Sequence, residues 1–189
     1  KGAKRDLYRS PSDAIGDGIG LVPGERGLGL IMGLSVRENI ILPNLDRLKT
    51  TTGLDRTAID TLVEELMETG DIRPRDPNKP VRDPSGGNQQ KVVVAKWLAT
   101  QPKVIILDEP TKGIDIGSKA AVHEFMGDLA SQGLSVIMVS SELPEILGMS
   151  DRVVVMREGL MVDIYTNDDA LTSESLVMAA AGIGGGAMA

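Results

Sequence analysis

Two short segments, one before and one after a single helical stretch, constrain this chain more than any other feature. The first, residues 85–89, is a glycine-rich helix start, where free backbone N–H groups and the positive end of the helix dipole can bind a phosphate. The second is the apolar run 104–107, which ends in Asp108 and Glu109. Nucleotide hydrolases present a magnesium ligand and a water-orienting base at the carboxyl end of such a strand. The two segments therefore predict an α/β fold with a nucleotide site.

Composition excludes several other classes of protein. The net charge of -7, with no basic stripe, argues against a nucleic-acid-binding domain. The absence of cysteine excludes disulfides and thiolate metal sites. The 189 residues contain 41% apolar residues, which is ordinary for one packed domain. No apolar run approaches the roughly 20 residues of a membrane-spanning helix.

Several motifs together resemble one family. The segment 85–89 resembles the signature motif of ABC ATPases, and 105–110 resembles their Walker B strand. Three more segments narrow the resemblance to the carboxy-terminal ATP-binding half of the tandem ATPases that energise bacterial sugar importers of the ribose, xylose, arabinose and galactose group. These segments are 35–39 (SVREN), 43–47 (PNLDR) and 140–145 (SSELPE). The resemblance extends from about residue 7 to about residue 180.

The resemblance implies a fold class and a division into domains. It implies a partial P-loop NTPase core sheet of the ABC ATPase type, with a helical subdomain and without the strand that carries the P-loop. Residues 1–26 and 85–189 would form the core, and residues 27–84 would form the helical subdomain and a proline-rich linker. The helical subdomain would contact the membrane partner.

The resemblance also assigns roles to individual residues, with ATP and Mg²⁺ as cofactors. Asp108 would hold the metal, and Glu109 would be the catalytic residue that polarises the attacking water. The signature residues would contact the phosphate of a nucleotide held by the partner half; they are Ser85, Gly86, Gly87, Asn88 and Gln89.

Three further positions match loops of the family near its nucleotide. Asp115 resembles the D-loop residue that crosses to the other half of a dimer. Ser141 stands where the family usually has a switch histidine, and serine can hydrogen-bond a phosphate without carrying charge. Gly24, followed by Glu25, occupies the Q-loop position, where the family has a polar side chain that reaches the magnesium.

One family motif is missing. No G-x-x-x-x-G-K-[ST] pattern occurs, so the P-loop that holds the β- and γ-phosphates is absent from this sequence. We therefore expect a fragment, truncated before its Walker B half and without Walker A, that alone binds ATP weakly and is inactive. The family's P-loop strand lies between the strands at 135–139 and 152–156, so we expect unpaired strand edges, low stability and possible homo-oligomers through those edges.

Local patterns predict the remaining elements. S-x-x-E at Ser35 is a capping box, and apolar residues from 59 to 67 at helical spacing predict a helix that closes at Gly70. The glycines at 27–29 imitate a dinucleotide fingerprint, but a flexible loop is the preferred interpretation. The other expectations are a helix capped by Ser118, a buried strand at 136–139, a helix at 142–147, a hairpin around Glu158-Gly159, a terminal helix at 171–181 and a frayed end at 182–189.

Three functions follow from these observations. The first is the ATP-hydrolysing subunit of a sugar importer at the cytoplasmic face of the inner membrane. Its partners would be a second ATP-binding half, transmembrane permease subunits and, indirectly, a sugar-binding protein. The second is a soluble ABC ATPase of translation or DNA repair, although this acidic chain has neither basic inserts nor coiled coils. The third is a non-catalytic module for coupling and dimerisation, which fits the absent P-loop and the residues Gly24 and Ser141.

Overall fold

The computed structural model describes residues 7–183, and the chain divides into two compact units, residues 1–139 and 140–189. The first unit contains α1 (Pro11–Gly16), β1 (Ile19–Val22), α2 (Arg26–Gly29), α3 (Val36–Ile41), a 3-10 turn (Leu42–Asn44), β2 (Lys49–Thr50), β3 (Gly53–Leu54), α4 (Arg56–Thr69), α5 (Gly86–Leu98), β4 (Val104–Asp108), α6 (Ile116–Ser131) and β5 (Ser135–Val139). The second unit contains α7 (Leu143–Met149), β6 (Arg152–Arg157), β7 (Leu160–Thr166) and α8 (Ser173–Ala181). None of the helices in the described part of the chain is long and apolar enough to cross a membrane.

A parallel three-stranded sheet of order β1-β4-β5 forms the centre of the first unit. One face of this sheet is buried, because α5 packs on β1 and α6 packs on β5. Ile105 and Leu107 of β4 are both 0% exposed on that face. Continuous apolar strands are typical of a parallel sheet, which needs helices to cover it.

The opposite face of this sheet, called the open sheet face below, is partly exposed. Leu21, Ile106 and Ile137 lie side by side in register on it. Residues two apart in a strand share a face, so Val139 lies there as well. Leu21, Ile137 and Val139 are 49%, 51% and 50% exposed. The prediction of a buried strand at 136–139 is therefore wrong for this structure, because β5 is an edge strand with only one covered face.

The strand pairing agrees with a sheet that lacks its P-loop strand. Within residues 7–183, β5 pairs with β4 alone. In the described residues 140–183 of the second unit, β6 pairs only with β7, as the antiparallel hairpin predicted around residues 158–159. The sequence thus correctly predicted a partial α/β core.

Capping residues explain where the helices of the first unit begin. Ser35 and Glu38 form the predicted capping box at α3, and hydrogen bonds from the backbone N–H and the hydroxyl of Ser35 lower the pKa of the Glu38 carboxyl. Helix α4 buries Ile59, Val63 and Met67 and ends at Gly70, as its periodicity predicted. Both helices lie within residues 27–84, but the boundaries of a helical subdomain stay a prediction.

The segment 27–29 is not a flexible loop, as the sequence suggested, but part of the short helix α2. A Cβ atom on Gly29 would lie 2.9 Å from Cγ1 of Val93. The glycine therefore lets α2 pack directly on α5, and the amino group of Lys96 donates a hydrogen bond to the Gly29 carbonyl over 2.9 Å. Burial lowers the pKa of Lys96. A long-range contact of this kind leaves no local pattern in the sequence.

The second unit has its own small core. Val153, Val155 and Leu176 are buried together, so that α8 covers one face of the β6–β7 hairpin. Helix α7 begins after Glu142 with Pro144 in its first turn, and Thr172 caps α8. Of the frayed end expected at 182–189, residues 184–189 lie outside the described part of the chain.

Candidate functional site

The glycine-rich segment forms the helix start that the sequence predicted. Ser85 is the N-cap of α5, and its Oγ accepts from the backbone N–H of Asn88 over 3.5 Å. The Ser85 side chain is exposed and Gly86 is half-buried. The N-cap and the first residue of a 13-residue helix are therefore accessible to solvent, so an anion can approach the helix start.

Gly87 has a second reason to be glycine. It is buried, and a Cβ atom there would lie 2.8 Å from the Cβ of Ser118. That distance is shorter than carbon atoms tolerate, so the missing side chain is what allows the first turns of α5 and α6 to touch. The sequence explained this glycine by close approach to a phosphate alone; the structure adds a packing requirement.

The next two signature residues bind the preceding linker. Asn88 Oδ1 accepts from the backbone N–H of Arg73 over 2.7 Å. Gln89 Nε2 donates to the backbone carbonyls of Arg82 and Pro84 over 3.3 and 3.2 Å. The signature helix and the proline-rich linker are thus held together by side-chain hydrogen bonds, which the sequence did not reveal.

The acid pair stands at the carboxyl end of β4, as predicted. Asp108 is the last residue of the strand and pairs in register with Val139, so it lies on the open sheet face. Glu109 follows with φ +46°, and its backbone N–H donates to the Val139 carbonyl over 2.7 Å. A positive φ is uncommon for a residue other than glycine, and such backbones cluster at functional sites. Glu109 lies one residue beyond the end of the strand, so the alternation of side chains along β4 does not extend to it.

Gly24 lies against both acids. A Cβ atom on Gly24 would be 3.0 Å from the backbone oxygen of Asp108, 3.2 Å from the Cβ of Glu109 and 3.4 Å from Oδ2 of Asp108. A larger residue at this position would have to displace the acids by a few tenths of an ångström. The loop after β1 can therefore approach the two acids this closely because residue 24 is glycine. The neighbouring Glu25 is exposed.

Asp115 caps α6, where the sequence had predicted Ser118 as the cap. The Asp115 carboxylate accepts from the backbone N–H of Ser118 over 3.0 Å. Hydrogen bonds from the side chain and the backbone of Ser118 lower the pKa of Asp115. Ser118 also packs on Gly87, so the start of α6 is in direct contact with the start of α5.

The predicted site residues thus fall into two groups in the first unit. The signature segment contacts the start of α6, and Gly24 contacts Asp108 and Glu109. Ser141 belongs to the second unit, in the turn between β5 and α7, and is exposed; its assignment to the site stays a prediction. Nowhere in residues 7–183 do three or more His, Asp or Glu side chains converge as a metal site.

The chain matches a known protein family. The family model described as "ABC transporter" matches residues 2–112. Two curated relatives are named ribose import ATP-binding protein RbsA. The one from Roseobacter denitrificans is 57% identical over 178 residues, which cover 94% of this chain and 35% of that protein. The one from Halalkalibacterium halodurans is 43% identical over 180 residues, which cover 95% of this chain and 36% of that protein.

Solved structures share the fold. A dimeric ATP-binding cassette in a post-hydrolysis state, bound to ADP and Pi, superposes with a TM-score of 0.69 at 24% identity, over 86% of this chain and 69% of that chain. The protein cbiO1 from Clostridium perfringens, part of an ABC transporter complex, superposes with a TM-score of 0.73 at 22% identity, over 91% of this chain and 66% of that chain. The chain spans about a third of the length of the curated relatives it matches.

Proposed function

This chain belongs to the ABC transporter ATP-binding family, and from that premise we propose that it is part of a longer ATPase, here called the parent protein, that drives sugar import. One observation carries the proposal: a capped, glycine-rich helix start and an acid pair at the end of a buried strand occur in one compact unit. The identity of 57% to a ribose import ATP-binding protein favours a sugar as the transported substrate.

The residues at the end of β4 fit a magnesium nucleotide. Carboxylate oxygens are the ligands that Mg²⁺ prefers, and Asp108 offers one beside the backbone of Gly24. Asp108 would hold the metal, and Glu109 would orient and polarise the attacking water. When bound, ATP with Mg²⁺ supplies the phosphoryl group and the charge that neutralises its oxygens. Glu25 would lie near this metal through the loop it shares with Gly24.

The signature segment would act on a second nucleotide, held by the other ATP-binding half. Ser85, Gly86 and Gly87 would donate hydrogen bonds to its phosphate from the start of α5. Asn88 and Gln89 hold the segment to the linker, and Asp115 would lie beside it at the interface between the halves. Ser141, in the second unit, would hydrogen-bond a nucleotide phosphate.

The open sheet face suggests where the rest of the parent protein packs. This face exposes half of Leu21, Ile137 and Val139, and Asp108 lies at its carboxyl end. Half-exposed apolar strands beside a functional acid are expected where a further layer packs. We assign this layer to the helix that follows the P-loop, whereas the P-loop strand itself would extend the sheet beside β5. The division into a core (1–26 and 85–189) and a helical subdomain (27–84) belongs to the same proposal.

The parent protein would work at the cytoplasmic face of the inner membrane as a peripheral subunit. Its partners would be a second ATP-binding half, permease subunits and, through them, a sugar-binding protein. Contact with the permease would come from the helical subdomain, whose α3 and α4 are joined by an ion pair between Arg37 and Asp60.

Sugar uptake by the reconstituted transporter tests this proposal. The parent protein and its permease subunits are placed in lipid vesicles, and the ATP-dependent uptake of labelled ribose, xylose, arabinose and galactose is measured. We expect uptake of at least one of these sugars, and we expect Ser85→Ala to abolish most of it, because the signature would lose its phosphate donor. If a preparation that binds its permease imports none of the four sugars, the proposal is contradicted.

A non-catalytic coupling module is the second candidate. The observation that favours it is Gly24, which brings no polar side chain to the acids. In the same vesicles, this alternative predicts that Ser85→Ala abolishes uptake, whereas Glu109→Gln leaves both uptake and ATP turnover unchanged. The first proposal predicts that both variants lose activity.

A further inference from the structure

We propose that Asn88 is a positioning residue that directs the hydroxyl proton of Ser85 towards the bound phosphate, an inference that rests on the proposed function. The starting point is the hydrogen bond from the backbone N–H of Arg73 to Asn88 Oδ1, 2.7 Å long. A backbone N–H can only donate, so the carbonyl oxygen of the Asn88 amide must face it. The NH₂ group of that amide must then face the other way.

The other side of the Asn88 amide is occupied by Ser85. Asn88 Nδ2 donates to Ser85 Oγ over 3.1 Å, and the backbone N–H of Asn88 approaches the same oxygen at 3.5 Å. A hydroxyl has one proton and two lone pairs. Both lone pairs are engaged by donors of Asn88, so the proton of Ser85 is left for an acceptor outside the helix.

The position of Ser85 indicates that the acceptor is an oxygen of the bound phosphate. Ser85 is exposed at the start of α5, where the first N–H groups of the helix have no partner four residues earlier and the helix dipole favours an anion. A phosphate oxygen accepts hydrogen bonds but cannot donate them when ionised. A serine whose proton is already directed outward therefore loses no alternative hydrogen bond when the phosphate binds.

The substitution Asn88→Asp separates this role from a structural one. The carboxylate has nearly the same shape and still accepts from Arg73, but it also accepts from Ser85 and so turns the hydroxyl proton inward. An acid in the first turn of a helix is favourable, so the melting temperature should not fall. We expect ATP turnover by the parent protein to fall about 10- to 100-fold, the size of a lost hydrogen bond to a charged group.

A double-mutant cycle distinguishes this effect from simple charge repulsion. If Asn88 acts through Ser85, Asn88→Asp causes no further loss of turnover once Ser85→Ala is present. Turnover of Asn88→Asp relative to wild type should also recover towards acid pH, because a protonated carboxyl can donate to Ser85 again. If Asn88 had a purely structural role, the ratio of Asn88→Asp turnover to wild-type turnover would not change with pH.

The turnover of these variants distinguishes failure of the role of Asn88 from failure of the proposed function. If the losses from Asn88→Asp and Ser85→Ala multiply, or if Asn88→Asp turns over like wild type, the inference is overturned while the proposed function stands. If Ser85→Ala alone has wild-type turnover, the proposed function fails, and the role of Asn88 fails with it.

Discussion

Replacing Glu109 with glutamine is expected to lower ATP turnover at this site of the parent protein by about 10²- to 10⁴-fold, the contribution of a general base. The Glu109 carboxylate polarises the attacking water, and a glutamine amide of the same shape cannot accept a proton from that water. Because Glu109 is only half-buried and glutamine fits the same backbone, the fold should be unaffected. ATP binding should persist, because binding depends on the P-loop and on Asp108. Single-site turnover and equilibrium ATP binding measure the two effects separately.

Glu124→Gln is the matched control for this experiment. Glu124 lies exposed on α6 and undergoes the same change of charge. It should leave turnover and binding as they are. Unchanged single-site turnover by Glu109→Gln would exclude Glu109 as the base and would favour the non-catalytic module.

Gly87→Ala is expected to destabilise the chain, with a free energy of unfolding lower by about 1–2 kcal/mol. Forcing an extra methyl into a packed contact costs about 1–3 kcal/mol, and the better helix propensity of alanine offsets up to about 1 kcal/mol of that. For a chain of this size the melting temperature should fall by about 2–8 °C. The clash is with the Cβ of Ser118, 2.8 Å from the new methyl, and a Cβ cannot rotate away.

Two matched variants test this explanation. Gly127→Ala changes another glycine of a helix, with nothing within 4 Å of the new Cβ, so it should raise stability by up to about 1 kcal/mol. Ser118→Gly removes the opposing Cβ, so Gly87→Ala should cost much less stability in a Ser118→Gly background than in the wild type. If Gly87→Ala melts at the wild-type temperature, or if it costs as much in the Ser118→Gly background, the packing of α5 on α6 is not what the structure indicates.

Features set by neighbours in sequence could be predicted, because the hydrogen bonds that determine them are local. The caps at Ser35 and Ser85 each bond a backbone N–H three residues later, and each was predicted from its residue types. The acid pair at the end of β4 was also predicted correctly, since an apolar run followed by acids is itself the signal.

Features set by distant contacts could not be predicted. Asp115 and Ser118 are both good caps by type, and Asp115 caps α6 while Ser118 packs on Gly87, more than 30 residues away in sequence. The contact of Gly24 with the acids and the bond from Arg73 to Asn88 likewise join remote parts of the chain. No local pattern records such pairs.

The exposure of β5 shows a different limit of prediction from the sequence. Its residues Val136 to Val139 have the composition of a core strand, yet Val139 is half-exposed. We attribute this to a sequence adapted to the parent protein, in which another layer would cover the open sheet face. On the proposed function, the composition of β5 would reflect the fold of the parent protein, whereas its exposure would reflect this chain alone.

Binding of a fluorescent ATP analogue to this chain alone, compared with binding to the parent protein under the same magnesium concentration, tests the central claim most directly. The claim is that the signature segment and the acid pair act on nucleotide but do not replace the P-loop that holds the β- and γ-phosphates. We expect micromolar affinity for the parent protein and no saturation in the micromolar range for this chain. Micromolar affinity of this chain by itself would contradict the account.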